Sequence, residues 1–460
     1  MIRPTLQHVL LPVIIAVTAP AQALTYDDAR HLLHRTGFGA TDQQIRALQP
    51  LTRDQAVHRI LNKGNWKAQQ PPPSWVNDRP LSPKQRKALS AEQRRAYQRR
   101  LRQQGRELQI WWWQEIVTTS HPLTEKMTLF WHNHFTSSLR KVKWPPLMYH
   151  QNRLLRRHAM GNFGTLLKAI LRDPAMLIYL DNVSNHKKNP NENLARELLE
   201  LFTLGEGHYT EHDVKAAARA LTGRTVNPRT GLFHFAARRH DDGEKTFLGE
   251  HGRFDGDDIA DLLLQHPETA RFIVTKLWRE FISLEPDTAE IEHLAERFRR
   301  SGYEIKSLLA ALLTSEAFWD PRHRAALIKS PVELIAGTLR TLQIHVHEWP
   351  PILRISRNLG QALFNPPNVK GWPGGKRWIT SATLVQRQAV LQRLLRSKDM
   401  HRAMMGGKST TAPARLAAGA TSRQTLIHLL MPAPPLTAVD GDTPYAWINA
   451  LLLDPVYQLK

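Results

Sequence analysis

Asn189-Pro190-Asn191-Glu192-Asn193-Leu194-Ala195-Arg196-Glu197-Leu198-Leu199-Glu200-Leu201-Phe202 reads as an amphipathic helix. Asn189 can cap it, Pro190 suits the first helical position, and Glu192 completes an Asn-x-x-Glu capping box. Round the helix, Leu194, Leu198, Leu201 and Phe202 fall on one apolar face, while Asn193, Glu197 and Glu200 share a polar strip. Two carboxylates one turn apart on such a helix suit metal ligation, a general base or a partner for arginine. Glu197, Glu200 and Arg196 are therefore the catalytic candidates. A plain ion-pair network around Arg196 accounts for the same pattern equally well.

The sequence on either side is helical too. Thr210 and Asp213 form a capping box, Val214, Ala217, Ala218 and Leu221 follow at helical spacing, and Gly223 can end that helix. Thr41 caps a helix expected to run past Ile45 and Leu48, and the stretches Thr269 to Phe281 and Ile291 to Phe298 keep the same period. Strand signals are few: Val226 to Phe235 reads as a hairpin turned by Asn227-Pro228 and Thr230-Gly231. The fold class is thus mainly α, a multi-helical globular body with at most a small β-hairpin element. Residues 24–398 make that body. Within it 71–83 is a Pro-rich loop and 84–119 a basic helical segment, in which Arg95, Arg99, Arg102 and Arg106 face away from Tyr97, Leu101 and Leu108. Residues 399–460, rich in Gly, Ala, Thr and Pro as far as Pro435, are expected to be loosely ordered up to a short terminal helix near Trp447.

The N-terminus carries an export pattern. Arg3 gives a positive start, Val9 to Val17 is apolar, and Ala21-Gln22-Ala23 is a small-residue cleavage box. Residues 1–23 are read as a signal peptide cut between Ala23 and Leu24, which makes the protein periplasmic or secreted. A membrane anchor needs about 20 apolar residues, and Pro12, Pro20 and Gln22 interrupt or bound this run. With no Arg-Arg pair in the leader, the general secretory route is expected. No later apolar run is long enough to span.

Export changes what the charge implies. There are 63 Lys and Arg against 41 Asp and Glu, a formal +22, or 22 − 1 = +21 without Arg3. Such a balance usually suggests nucleic acid, but outside the cytoplasm an anionic envelope polymer or an acidic protein partner fits better. Nucleic acid is not expected. Cysteine is absent, which removes disulfides, zinc-thiolate sites and a cysteine nucleophile, so a divalent metal, if held, needs His, Asp, Glu or Asn.

Three further clusters carry possible chemistry. In Phe130-Trp131-His132-Asn133-His134-Phe135 the two histidines diverge by about 200° on a helix and share a ligand only where the helix ends or bends. In His240-Asp241-Asp242-Gly243 a His-Asp pair sits in a turn. His132, His134, His240 and Asp241 are the metal-ligand candidates, against the alternative of buried or loop residues with ordinary hydrogen bonds. Trp372, in the rigid loop Phe364 to Gly375, and Trp378 can stack on a sugar ring or pin the loop to the core. Asp181, Asn182, Asn193, Trp372 and the four arginines of the basic segment are the binding candidates.

These segments also carry a resemblance. LHRTGFG (Leu33–Gly39), FWHNHF (Phe130–Phe135), DPAMLIYLDN (Asp173–Asn182), PNENLARELLELFTLGEGHYTEHDV (Pro190–Val214), ARALTGR (Ala218–Arg224), HDDGEKTFLG (His240–Gly249) and PPNVKGWPGG (Pro366–Gly375) follow one another as in the exported bacterial family called domain of unknown function 1800, DUF1800. The chain resembles that family from about Tyr26 to about Leu395. The resemblance implies export and a mainly helical fold, assigns no activity or catalytic residues, and offers an exported DUF1501-family protein as a partner. The Arg-rich segment before Trp111-Trp112-Trp113 departs from the family pattern.

Two functions follow. One is a metal-assisted hydrolytic enzyme of the cell envelope, which requires His132, His134, Glu197, Glu200, His240 and Asp241 around one pocket. The other is a non-catalytic binding or assembly protein for an anionic envelope polymer or an exported partner protein. There is no Gly-x-Ser-x-Gly elbow, phosphate loop or dinucleotide fingerprint.

Overall fold

In the computed structural model, residues 22–396 and 422–460 are described. The expected signal peptide, residues 1–23, falls almost wholly outside them. Among the described residues 60% are helical, in 22 α-helices, and the only sheets are two antiparallel pairs, so the fold is mainly α.

One continuous apolar core runs from Leu24 to Tyr457. Its centre is tryptophan-rich. The 28-residue helix Ala91–Thr118 starts from a Ser90 capping box, leaves Arg95, Arg99, Arg102 and Arg106 exposed, and then buries Trp111, Trp112 and Trp113. The same helix is thus a basic spike at one end and a core element at the other. Helix Pro122–His134 adds buried Trp131 and Met127 and packs on Pro145–Arg157. Helix Pro267–Phe281 lies against Thr288–Arg300, each burying the apolar positions that its 3.6-residue period lines up.

The deciding stretch is helical but begins later than its sequence suggests. The helix spans Asn193–Glu197, with Glu192 at the cap position and no side-chain cap. Asn189 instead donates its N–H to His186 O, and buried Asn185 accepts the N–H of Asn191 at 2.9 Å. These bonds hold residues 189–192 in a loop, so the Asn189 capping box does not form. Glu192 turns instead to Arg196, 3.0 Å away. The helix then widens into a π-turn over Leu198–Thr203, where Thr203 Oγ1 donates to Leu198 O five residues back.

Other boundaries shift for local reasons. Thr41 caps a helix of five residues only, Asp42–Arg46, rather than one running past Leu48. The Thr210–Asp213 box forms and Gly223, at φ +81°, follows that helix. The first hairpin pairs Arg224–Val226 with Phe233–Phe235 in the register Arg224 to Phe235. A second hairpin, Lys245–Phe247 with Glu250–Gly252, was not anticipated. Its two turn residues, Leu248 and Gly249, both take positive φ, and Asp213 Oδ1 holds the N–H of Leu248 at 2.7 Å.

The expectation of a loose C-terminal segment needs correction from Ser422 onward. Helices Arg423–Leu430 and Pro444–Leu453 bury Leu426, Leu429, Leu430, Leu451 and Leu452, and Lys460 ends inside the core. Residues 397–421 lie outside the described residues. No helix among the described residues is long and apolar enough to cross a membrane.

A candidate anion-binding cleft

A cleft of about 490 Å³ opens where the C-terminal end of Pro122–His134, helix Pro267–Phe281 and the loop around Trp372 meet. Six of its lining residues are cationic: Lys126, Lys276, Arg279, Lys370, Arg377 and Lys460. Two, Glu280 and Glu333, are acidic. Phe130, Trp372 and Trp378 supply its aromatic walls.

The acids are already matched. Lys126 Nζ lies 2.6 Å from Glu280 Oε1 and also pairs with Glu333, whose carboxylate receives Lys460 as well. Glu333 Oε2 caps its own helix, accepting Ser330 N–H at 2.8 Å. Burial acts against every charge here, yet Glu280 and Glu333 hold Lys126 above the usual lysine range, and Lys126 and Lys460 hold Glu333 below the usual carboxylate range. Four mutually neutralising charges therefore form the cleft floor. The remaining cations, with Arg279 and Arg377 exposed, give it a net positive field.

The π-turn reaches this cleft through its carbonyls. His134 Nε2 lies 3.1 Å from Phe202 O, and Lys276 Nζ donates to Leu201 O at 2.9 Å and meets His134 Nδ1 at 3.1 Å. The proton of neutral His134 therefore sits on Nε2, leaving Nδ1 to accept from Lys276. Burial and the neighbouring Arg279 push Lys276 down to about 7, and burial with Lys276 keeps His134 well below the usual histidine range.

The loop is fixed by the residue between the two histidines. Asn133 Oδ1 accepts the N–H of Trp372 at 2.7 Å, and Gly371, at φ +86°, packs so tightly on Asn133 that a Cβ has no room. His132 points the other way. It is fully buried among Trp112, Phe364 and Trp372, and neither ring nitrogen has a hydrogen-bond partner. Burial pushes it down to about 3.

The proposed metal set does not assemble. His132 sits in its aromatic cage and His134 is engaged by Lys276. His240 Nδ1 contacts Thr222 O at 3.0 Å, and Asp241 accepts Arg219 Nε at 2.7 Å and the N–H of Gly243, a turn-forming role. Among the described residues no group of three or more His, Asp or Glu is arranged to hold a metal ion. The candidates are held apart by other elements: Phe202 O and Lys276 engage His134, Thr222 and Arg219 engage His240 and Asp241, and His132 is sealed in its cage without a partner.

The remaining candidates divide. Arg196 bridges Glu192 and Glu211 on the surface. Buried Asn182 donates to Leu221 O and Arg224 O, tying a loop to the first hairpin. Asp181 and Asn193 do meet, at 3.1 Å, with Lys141 2.7 Å from the same carboxylate. Glu197 and Glu200 lie close enough that burial and Glu200 together raise Glu197 above the usual carboxylate range. Glu200 touches the cleft only through Lys370, 3.5 Å away.

Sequence reasoning missed Lys126, Lys276, Arg279, Glu280, Glu333, Lys370, Arg377 and Lys460. A lysine between Leu123 and the apolar residues Met127, Leu129 and Phe130 was a usable signal. Glu333 was masked by its second identity as a capping residue after Ser330-Pro331.

No curated protein and no solved structure matches the chain. A family model does match, and it runs past Leu395 to include the C-terminal helices Arg423–Leu430 and Pro444–Leu453. Across residues 31–459 the chain belongs to the family described as protein of unknown function, DUF1800.

Proposed function

We propose that this is an exported binding protein whose cleft takes an acidic segment of an envelope polymer. The observation that carries the reading is the lining: six basic side chains, of which Lys276 charges as pH falls through about 7, against two carboxylates that Lys126 and Lys460 already engage. A partly desolvated basic cleft with aromatic walls favours carboxylate or phosphate groups carried on rings or short chains. Leu24, the residue after the expected cut, is buried and donates its N–H to Leu51 O, so the folded body begins there in this reading. The exposed arginines of Ala91–Thr118 give a second basic face, suited to an acidic exported partner of the DUF1501 kind.

Metal-assisted hydrolysis gains no support from the geometry, because its ligands are dispersed. The test is calorimetric titration of the full chain lacking residues 1–23 with polygalacturonate and with uncharged dextran. Binding of polygalacturonate alone, weakening several-fold from low to physiological salt, is expected. Equal binding of dextran, or none of polygalacturonate, contradicts the proposal.

A further inference from the structure

Helix Pro145–Arg157 buries Leu147, Met148, Gln151 and Leu155 and turns a different stripe outward. His150, Arg153, Leu154, Arg157 and the cap residue His158 recur at i, i+3, i+4, i+7 and i+8, which sets them on one face. With Trp66 and with Ala169 of helix Phe163–Ile170 they line an open depression of about 300 Å³. That volume is at the lower end of small-molecule sites, roughly 300 Å³ upward. The depression shares no lining residue with the cleft.

Its charge is unmatched. Arg153 and Arg157 are exposed and stand one helical turn apart, where like charges repel. Among the described residues neither has a carboxylate or carbonyl partner, and no acid lines the depression; their guanidinium groups lie 5.9 Å from the ring centroids of Tyr149 and Trp66 respectively. The partial negative charge of the helix C-terminus favours Arg157 but fades within the last turn, before Arg153. The two imidazoles add no charge at neutral pH. Burial and Arg153 hold His150 below the usual histidine range, with its Nε2 3.0 Å from Val76 O, and burial and Arg157 do the same to His158.

Trp66 is the second, independent feature. Of the thirteen tryptophans it is the exposed one, at 41%, the others being buried or half-buried. An Asx turn, in which Asn65 Oδ1 accepts the N–H of Lys67 at 3.0 Å, presents it at the depression. A single exposed aromatic residue is ordinary on a protein surface. An exposed indole beside two uncompensated arginines offers an apolar face and an anion site together.

We infer that this depression binds a sugar phosphate, its phosphate monoester between Arg153 and Arg157 and its pyranose ring against Trp66. A carboxylate brings one negative charge to two arginines, whereas a phosphate monoester brings close to two at pH 7, with three acceptor oxygens for guanidinium forks. A neutral sugar leaves the arginines unmatched, and inorganic phosphate leaves the indole wet. The site stands apart from the cleft and does not rest on the reading given to it.

The test is calorimetric titration of the full chain lacking residues 1–23 with glucose 6-phosphate, glucose, inorganic phosphate and glucuronate. Glucose 6-phosphate should bind at least tenfold tighter than glucose and at least fivefold tighter than inorganic phosphate or glucuronate. This comparison uses the native chain and stands whether or not a variant folds. Trp66→Ala should weaken glucose 6-phosphate at least fivefold while leaving inorganic phosphate within twofold, and Arg153→Gln, Arg157→Gln should weaken both at least fivefold. Arg279→Glu, Arg377→Glu, in the cleft, should leave glucose 6-phosphate affinity unchanged, and Trp66→Ala should leave polygalacturonate affinity unchanged, so the two sites fail or stand separately. No binding of glucose 6-phosphate, equal binding of inorganic phosphate or glucuronate, indifference to Trp66→Ala, or loss caused by the cleft variant each overturns the inference.

Discussion

Lys276 shows how one side chain couples the body to the cleft. Its amine holds the π-turn carbonyl of Leu201 and the imidazole of His134, and burial with Arg279 nearby depresses it to about 7. The ordinary lysine value is about 10.4. Between those two values the unfolded chain holds a proton that the native chain does not, so stability rises with pH across that window. Lys276→Met should remove this rise, measured by urea unfolding at several pH values between 7 and 10. An unchanged slope contradicts the assignment. Below about 7 the amine charges, so polygalacturonate affinity should increase as pH falls through 7 in the native protein and not in Lys276→Met. His132 works in the acid range. Held neutral down to about 3 with no partner, it makes the native state lose stability as pH falls from about 6.5, by up to ~1.4 kcal/mol per pH unit. His132→Phe should flatten that limb, after a constant offset for repacking. Neither residue could be read this way from sequence: a histidine between aromatic neighbours fits ligand and core alike, and burial decides.

At the scale of elements, the loop Phe364 to Gly375 depends on Gly371. A Cβ there would strike Asn133 and would also sit at positive φ. Gly371→Ala should therefore destabilise by about 1–3 kcal/mol and weaken acidic-polymer binding by displacing Lys370 and Trp372. Thermal unfolding and titration check the two effects, and retained stability with retained affinity contradicts the role given to this turn. Elements were legible where local chemistry set them. The Thr210–Asp213 box and the alternating apolar faces of Pro267–Phe281 and Thr288–Arg300 follow from short-range spacing. The cap at Asn189 misled because a buried residue, Asn185, competes for the same segment. The π-turn needed a Thr203 bond that spacing does not announce, and the second hairpin hides behind a leucine in a conformation that normally selects glycine or asparagine.

For the whole molecule, the family motifs converge only in part. FWHNHF and PPNVKGWPGG meet through Asn133 and Trp372 at the cleft, and PNENLARELLELF approaches it through Glu200 and the π-turn carbonyls. HDDGEKTFLG instead closes a hairpin and its turn. The cleft floor joins Lys126, Glu280, Glu333 and Lys460, spread across most of the chain, and no local pattern reports such a meeting. The charge balance was visible from composition, but its concentration in one cleft is a product of the fold. The measurement that tests this most directly is the affinity for polygalacturonate of the Arg279→Glu, Arg377→Glu variant, which reverses two exposed charges without touching the core. The account predicts at least a tenfold loss, with unfolding unchanged. An affinity within twofold of the native protein would contradict it.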